Sequence, residues 1–358
     1  MRTHQKRSRR RTKRRVKQRV VTRRAVLIGA SIGGLAAAAH FLFRRGAGDR
    51  NLQARPLAAA ANLQFAGAVS VQHAGDVAAS LNEKGLQITL RPGGTDIDAV
   101  GEVMAGRSTF GVISAIRFML ARERGAPIVA FGAEFLDSPV AFFSLDAAKI
   151  NSPTDFQGLR IPRRQRSDAA IIYDAVLANL GISRGAIKEK DETGSVSMLL
   201  DRSIDILPGD LAATSYALKE VGASYRVLQP AEFGIHVPGS VYFTSESTLR
   251  DHPSVVGAFL QQVISGWKMI YAGEGSIYQV VASAVGMPID QVEFELKAQR
   301  NLVLPVERRI AEFDELQWKQ LRIMLLQERL VREETDFSTA VDYSILKDVY
   351  RPPLSYGQ

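Results

Sequence analysis

Residues 73–112, HAGDVAASLNEKGLQITLRPGGTDIDAVGEVMAGRSTFGV, constrain the fold more than any other stretch of this chain. They read as helix, strand, Gly-rich turn, helix and strand. The first helix is expected to bury Val77, Ala78 and Leu81 and to stop at Gly85, which suits a left-handed cap. Leu86, Ile88 and Leu90 then alternate with Gln87, Thr89 and Arg91, the period of a half-buried strand. Pro92-Gly93-Gly94 turns the chain, and Thr95 or Asp96 is placed to cap the second helix. That helix is expected to bury Ile97, Val100, Val103 and Met104 and to end at Gly106, before a strand over Phe110 to Ile113. In such a unit the strand end, the glycines and the helix N-terminus converge, and their backbone N–H groups can receive a ligand. A plain connection without a ligand uses the same residues.

The same alternation continues from Leu63 onward, so the expected class is α/β with mostly parallel sheets. Ser152 and Pro153 open a short helix, and Leu159 to Pro162 is a strand. Ala169, Ile172, Val176, Leu177 and Leu180 make one helix face, closed by Gly181. Ile204 to Leu207 reads as a strand running into Pro208-Gly209-Asp210 and a helix to about Gly222, and Tyr225 to Leu228 as another strand. Val255, Val256, Phe259, Leu260, Val263, Trp267 and Ile270 form the stripe of a long helix from Pro253. Ile310, Phe313, Leu316, Leu321 and Leu325 belong to C-terminal helices.

The formal charge of +9 is misleading. Residues 1–24 hold 13 Lys and Arg and no acid, so the other 33 bases face 37 acids, a net of −4. A slightly acidic globular part argues against a nucleic-acid surface, although the basic run alone could be a nucleic-acid arm. The basic run leads instead into the 19 apolar residues Ala25 to Phe43, long enough for a membrane anchor or a signal peptide cut after Ala37-Ala38-Ala39. Thr22-Arg23-Arg24-Ala25-Val26-Leu27 matches the twin-arginine export pattern, and residues 44–61 form a tether. A rival reading takes Gly29-Ala30-Ser31-Ile32-Gly33-Gly34 as a dinucleotide fingerprint. Ser31 replaces the glycine that lets the backbone approach a pyrophosphate, and Asp49 sits in a polar loop, so no cofactor is expected.

The chain has no cysteine, which excludes thiolate nucleophiles, thiolate metal sites and disulfides. No Ser-His-Asp order, H-E-x-x-H or P-loop motif occurs either, so neither catalysis nor a metal centre is expected. The candidate binding residues are His73, Gly93, Gly94, Thr95, Ser114 at a strand end, Arg163 after the Leu159–Pro162 strand, Asp210 and Tyr242. Arg163 would pair an acidic ligand group and Tyr242 would stack on a ring.

The order HAG, KGLQITLRPGGTDIDAV, AGRSTFGV resembles the periplasmic solute-binding proteins of ABC importers, in the thiamine-pyrimidine-precursor family. The resemblance returns at INSPTDFQGLRI and at FGIHVPGSVYFTSESTLRDHPSVVGAFLQQVISGW. It implies two α/β lobes of the type II binding-protein fold with a hinge and a ligand cleft. Residues 62–142 and 243–358 would form one lobe and 143–242 the other, with crossings at Ile150 and Val241. It further implies a monomer outside the cytoplasmic membrane, delivering a flat heterocycle to an ABC permease, with His73 of HAG at the site. The segment after HAG is shorter than in the family and lacks its Gly-Tyr-Phe. Two alternatives stand beside this: a membrane-anchored sensing domain, and a pyrimidine-precursor synthase, which the missing cysteines disfavour.

Overall fold

The computed structural model describes residues 60–351 apart from 83–84, 95–96 and 274–275. The basic segment, the apolar run, nearly all of the tether and the candidate Thr95 lie outside the described residues. Among those described, no helix is long and apolar enough to cross a membrane.

The first lobe is built on a five-stranded sheet of order β2-β1-β3-β10-β4. Its strands are β1 (Ala60–Phe65), β2 (Gln87–Arg91), β3 (Phe110–Ser114), β4 (Ile128–Ala133) and β10 (Ser240–Ser245). β1 runs parallel to β2 and β3, whereas β10 returns antiparallel between β3 and β4. Every residue of β4 is buried although it ends the sheet, because the chain at Ala340–Asp342 covers its outer side, with Ala130 N–H donating to Ala340 O and Asp342 N–H donating to Ala130 O. β1 lies between strands that follow it in the chain, so the sheet reverses direction of growth there. Such a point is where the carboxyl ends of strands leave a crevice.

The second lobe carries a three-stranded sheet, with β5 (Val140–Leu145) between β8 (Leu207–Asp210) and β9 (Tyr225–Leu228), and a parallel pair β6 (Arg160–Pro162) and β7 (Lys188–Lys190). β5 is antiparallel to both neighbours, so this sheet is not the mostly parallel one expected. The reason is that β5 enters directly from the first lobe instead of following a crossover helix. Pro208 and Gly209 belong to β8, an edge strand that tolerates a missing ladder donor.

The chain leaves the first sheet at Ala133 and joins the second at Val140, and it returns between Leu228 and Ser240. Ile150 is therefore not a crossing. It is buried with Phe142, Phe156, Ile161, Val176 and Leu177 in the second lobe's core.

The first helices are shorter than their apolar residues suggest. α1 (Ala74–Ser80) leaves Leu81 exposed as its C-cap, and α2 (Ala99–Met104) buries Ala99 and Val103 while Ile97 and Met104 face solvent. Asp98 caps α2, its side chain accepting from Val100 N, in place of Thr95 or Asp96. α3 (Ala115–Glu123) follows β3, and the second lobe adds α4 (Asp168–Asn179), α5 (Val196–Leu200) and α6 (Leu211–Glu220). After α7 (Glu246–Asp251), the long α8 (Pro253–Ala272) starts on its proline and ends at Gly273, whose φ of 67° is the left-handed cap. α9 (Ile277–Val285), α10 (Ile289–Val303), α11 (Glu315–Gln327) and α12 (Ser344–Val349) complete the fold. Leu321 and Leu325 of α11 are buried against the first lobe, but Leu316 is exposed.

α1 and α8 approach closely because glycines face each other. A Cβ on Gly75 would stand 2.4 Å from the Trp267 ring, and one on Gly266 would stand 2.2 Å from the Gly75 carbonyl oxygen. This contact fixes α1, and with it the residues just before and after its first turn.

Candidate functional site

The carboxyl edge of the first sheet carries a cluster of four polar side chains from three places in the chain. His73 ends the short 3-10 turn Val71–His73 that leads into α1, and its ring lies on Phe65 at the end of β1, centroids 4.2 Å apart. Asp76 is one turn further along α1, on the same face as His73. Glu134 directly follows β4, where its backbone N–H donates to Ser240 O at 2.8 Å. Tyr242 comes from β10.

His73 Nδ1 lies 2.6 Å from Glu134 Oε1 and 3.9 Å from Asp76 Oδ2. The Tyr242 hydroxyl donates to Asp76 Oδ1 at 3.0 Å. Asp76 and Tyr242 are 0 % exposed, Glu134 1 % and His73 8 %. The His73 ring is thus the cluster's edge towards solvent.

Burial decides the charge state. It pushes Glu134 up to about 8 and lowers His73 to about 4, with the Asp76 charge opposing the shift on His73 only in part. Burial, then the charge of Glu134, holds Asp76 well above the usual carboxylate range. The separation of His73 and Glu134 is that of an ion pair, but burial drives both towards their neutral forms. We therefore assign a neutral pair at pH 7, with the Glu134 hydroxyl donating to Nδ1. Asp76 and Glu134 together form a coupled acid pair that still holds protons at neutrality.

Asp210 faces this edge from the second lobe. Its Oδ1 caps α6 by accepting from Ala212 N and Ala213 N at 3.0 and 2.9 Å, and its Oδ2 accepts from Gln72 Nε2. Gln72 is the residue before His73, so this bond joins the two lobes beside the cluster. Burial raises the Asp210 pKa, against the pull of its two backbone donors. The lobes also meet where Arg117 of α3 donates to Asp168 of α4 at 3.1 Å, and where the Tyr216 hydroxyl donates to Asp290 at 3.0 Å.

The other candidates from the sequence are occupied elsewhere. Gly93 N–H donates to Gly67 O at 2.7 Å, and a Cβ there would stand 2.1 Å from Phe65 O, so this glycine permits a close backbone approach. The Gly94 carbonyl accepts from Ile97 N. Ser114 Oγ accepts from Arg117 N and caps α3. Arg163 is held by Asp174 within the second lobe, through Nε to Oδ1 at 2.9 Å and a second bond from Nη2 to Oδ2. Tyr242 has no exposed ring face for stacking.

Sequence reasoning missed Gln72, Asp76 and Glu134. Asp76 had a signal, its i+3 spacing from His73. Glu134 had a weaker one, an acid immediately after the fully apolar run IVAFGA. A groove of about 550 Å³ between α11 and residues 333–343 contains none of these residues, and Glu315, Lys319, Glu333 and Glu334 on its wall are solvated charges.

The family model described as NMT1/THI5 like matches residues 72–273. No curated protein matches the chain. Among solved structures, the periplasmic aliphatic sulphonate-binding protein SsuA from Escherichia coli is similar, with a TM-score of 0.66 and 15% identity over 85% of this chain and 95% of that one. The alkanesulfonate-binding protein SsuA from Xanthomonas axonopodis pv. citri, bound to MOPS, gives 0.58 and 16% over 81% and 99%. The desulfurization enzyme DszB gives 0.55 and 14% over 81% and 98%. At these identities the likeness is one of fold, that of two-lobed periplasmic binding proteins, and an enzyme shares it.

Proposed function

The chain belongs to the NMT1/THI5-like family, and we propose that it is a solute-binding protein that works outside the cytoplasmic membrane and passes a small molecule to an ABC permease. The observation that carries this reading is the Gln72–Asp210 bond beside the His73 edge. It joins the second lobe to the first lobe one residue before His73, at the carboxyl edge of the first sheet, where closing lobes would enclose a ligand. The SsuA protein from Escherichia coli, named as a periplasmic binding protein, lends the same direction. Export would follow from the twin-arginine pattern and the apolar run of residues 25–43.

For the ligand we favour a flat, nitrogen-containing heterocycle of the thiamine-precursor kind. Asp210 offers a hydrogen-bond acceptor to an amine N–H, and neutral His73, whose Nδ1 accepts from Glu134, offers its Nε2–H to a ring nitrogen. Arg163, the cation expected to pair an anionic group such as a sulfonate, is already committed to Asp174. The enzyme reading has the DszB fold behind it, but it lacks a thiol among the 358 residues. A thermal-shift panel of aminopyrimidines, flavins and alkanesulfonates tests the assignment. At 100 times Kd, a ligand stabilises the fold by about 2.7 kcal/mol. A shift with an aminopyrimidine is expected, and a shift with sulfonates alone would overturn the ligand class.

A further inference from the structure

Two carboxyl groups lie beneath the floor of the cleft with oxygens that nothing in the fold satisfies. Asp76 Oδ2 and Glu134 Oε2 are buried without a hydrogen-bond partner. Native interiors leave few such atoms, because each costs the desolvation of a polar group with no return. A solute lodged between the lobes cannot reach them, since Asp76 is 0 % and Glu134 1 % exposed and only the His73 ring touches the edge. As a coupled acid pair they keep protons at neutrality, and a small cation that displaces those protons would take their place.

The donors already stand at a suitable spacing. One nitrogen of His73 and one oxygen each of Asp76 and Glu134 lie within 4.8 Å of one another. Four-coordinate zinc with N and O donors at about 2.0–2.1 Å requires donors roughly 3.3 Å apart. The separations of 2.6 Å to Glu134 and 3.9 Å to Asp76 lie on either side of that value. The Tyr242 hydroxyl occupies Asp76 Oδ1 and leaves Oδ2 as the donor to an ion, the kind of outer hydrogen bond that orients metal ligands.

We propose that His73, Asp76 and Glu134 bind one first-row divalent cation of the zinc type, a site not expected from the sequence. One imidazole with two carboxylates suits such ions. Calcium asks for six to eight oxygens, which this site, bordered by the Phe65 ring and the Tyr242 ring, does not supply. The site stands independently of the solute reading, because it uses atoms a solute does not reach.

The test is titration of the full, untagged, chelator-stripped chain with Co²⁺, followed by displacement with Zn²⁺. The expected result is one Co²⁺ per chain with the visible absorption of a tetrahedral site, abolished in Asp76→Asn and in Glu134→Gln. Tyr242→Phe, which keeps all three ligands, should weaken Zn²⁺ binding by about 10–100-fold. Thermal transitions in chelator establish that each variant is folded, and His73→Gln replaces any that is not. Absence of the tetrahedral absorption in the parent chain would overturn the site, as would a bound ion that survives in the ligand variants. Solute binding is measured separately on the stripped protein, so a chain that takes Co²⁺ but no solute refutes only the transport reading.

Discussion

Replacing Glu134 by Gln should stabilise the protein in alkali and leave it unchanged in acid. The carboxyl is 1 % exposed and burial raises its pKa from 4.5 to about 8. The folded-state value lies above the unfolded one, so the stability that depends on the bound proton is complete below pH 4.5 and is lost as pH rises through about 8. Each pH unit inside that window costs about 1.4 kcal/mol, or roughly 5 kcal/mol across it. Gln keeps the shape and cannot ionise. Removing the Glu134 charge also relieves Asp76, whose pKa that charge helps to raise, so the effect on the neighbour has the same sign. For a chain of this size about 2 °C accompanies each kcal/mol, so a gap on the order of 10 °C should open between pH 5 and pH 8. Scanning calorimetry of both proteins in chelator measures it. A gap that stays constant, or narrows with rising pH, would refute the assignment of a buried, protonated Glu134.

His73 should remain neutral throughout the physiological range. Its folded-state pKa of about 4 lies below the unfolded 6.5, so its contribution is present above 6.5 and lost as pH falls through 4; an imidazole resonance titrating near 6.5 would contradict the burial argument. Gly75→Ala drives a Cβ to 2.4 Å from the Trp267 ring and should cost about 1–3 kcal/mol, read as a lower denaturant midpoint. Arg163→Ala leaves Asp174, 4 % exposed, without its main partner, and should cost roughly 3–5 kcal/mol without changing solute affinity. A stable Arg163→Ala chain that no longer binds solute would return this residue to the site.

Periodicity made the elements legible where burial is one-sided or complete. The strand over Phe110–Ser114 is legible because it is buried on both faces, and the stripe of α8 because one side of that helix packs into the first lobe's core. It failed at Leu81, Ile97 and Met104, which lie past or at the ends of short helices where the apolar face has turned towards solvent. Gly93 was legible as a special backbone position but not in its purpose, since the carbonyl it approaches belongs to a loop about 25 residues earlier. The polar cluster was half legible. His73 and Asp76 share one helix face, but Glu134 meets them across a sheet in which β3 and β10 lie between β1 and β4, a topology no local pattern encodes.

Enclosure of a solute between the lobes can be read directly because the chain has no cysteine of its own. Lys188→Cys on β7 and Lys268→Cys on α8 put one spin label on an exposed position of each lobe. Pulsed dipolar spectroscopy on the doubly labelled chain should give a broad distance distribution without solute. Adding a saturating aminopyrimidine should narrow it and shift it to a shorter distance. A distribution that no aminopyrimidine, flavin or sulfonate alters would contradict solute capture by closure of the lobes.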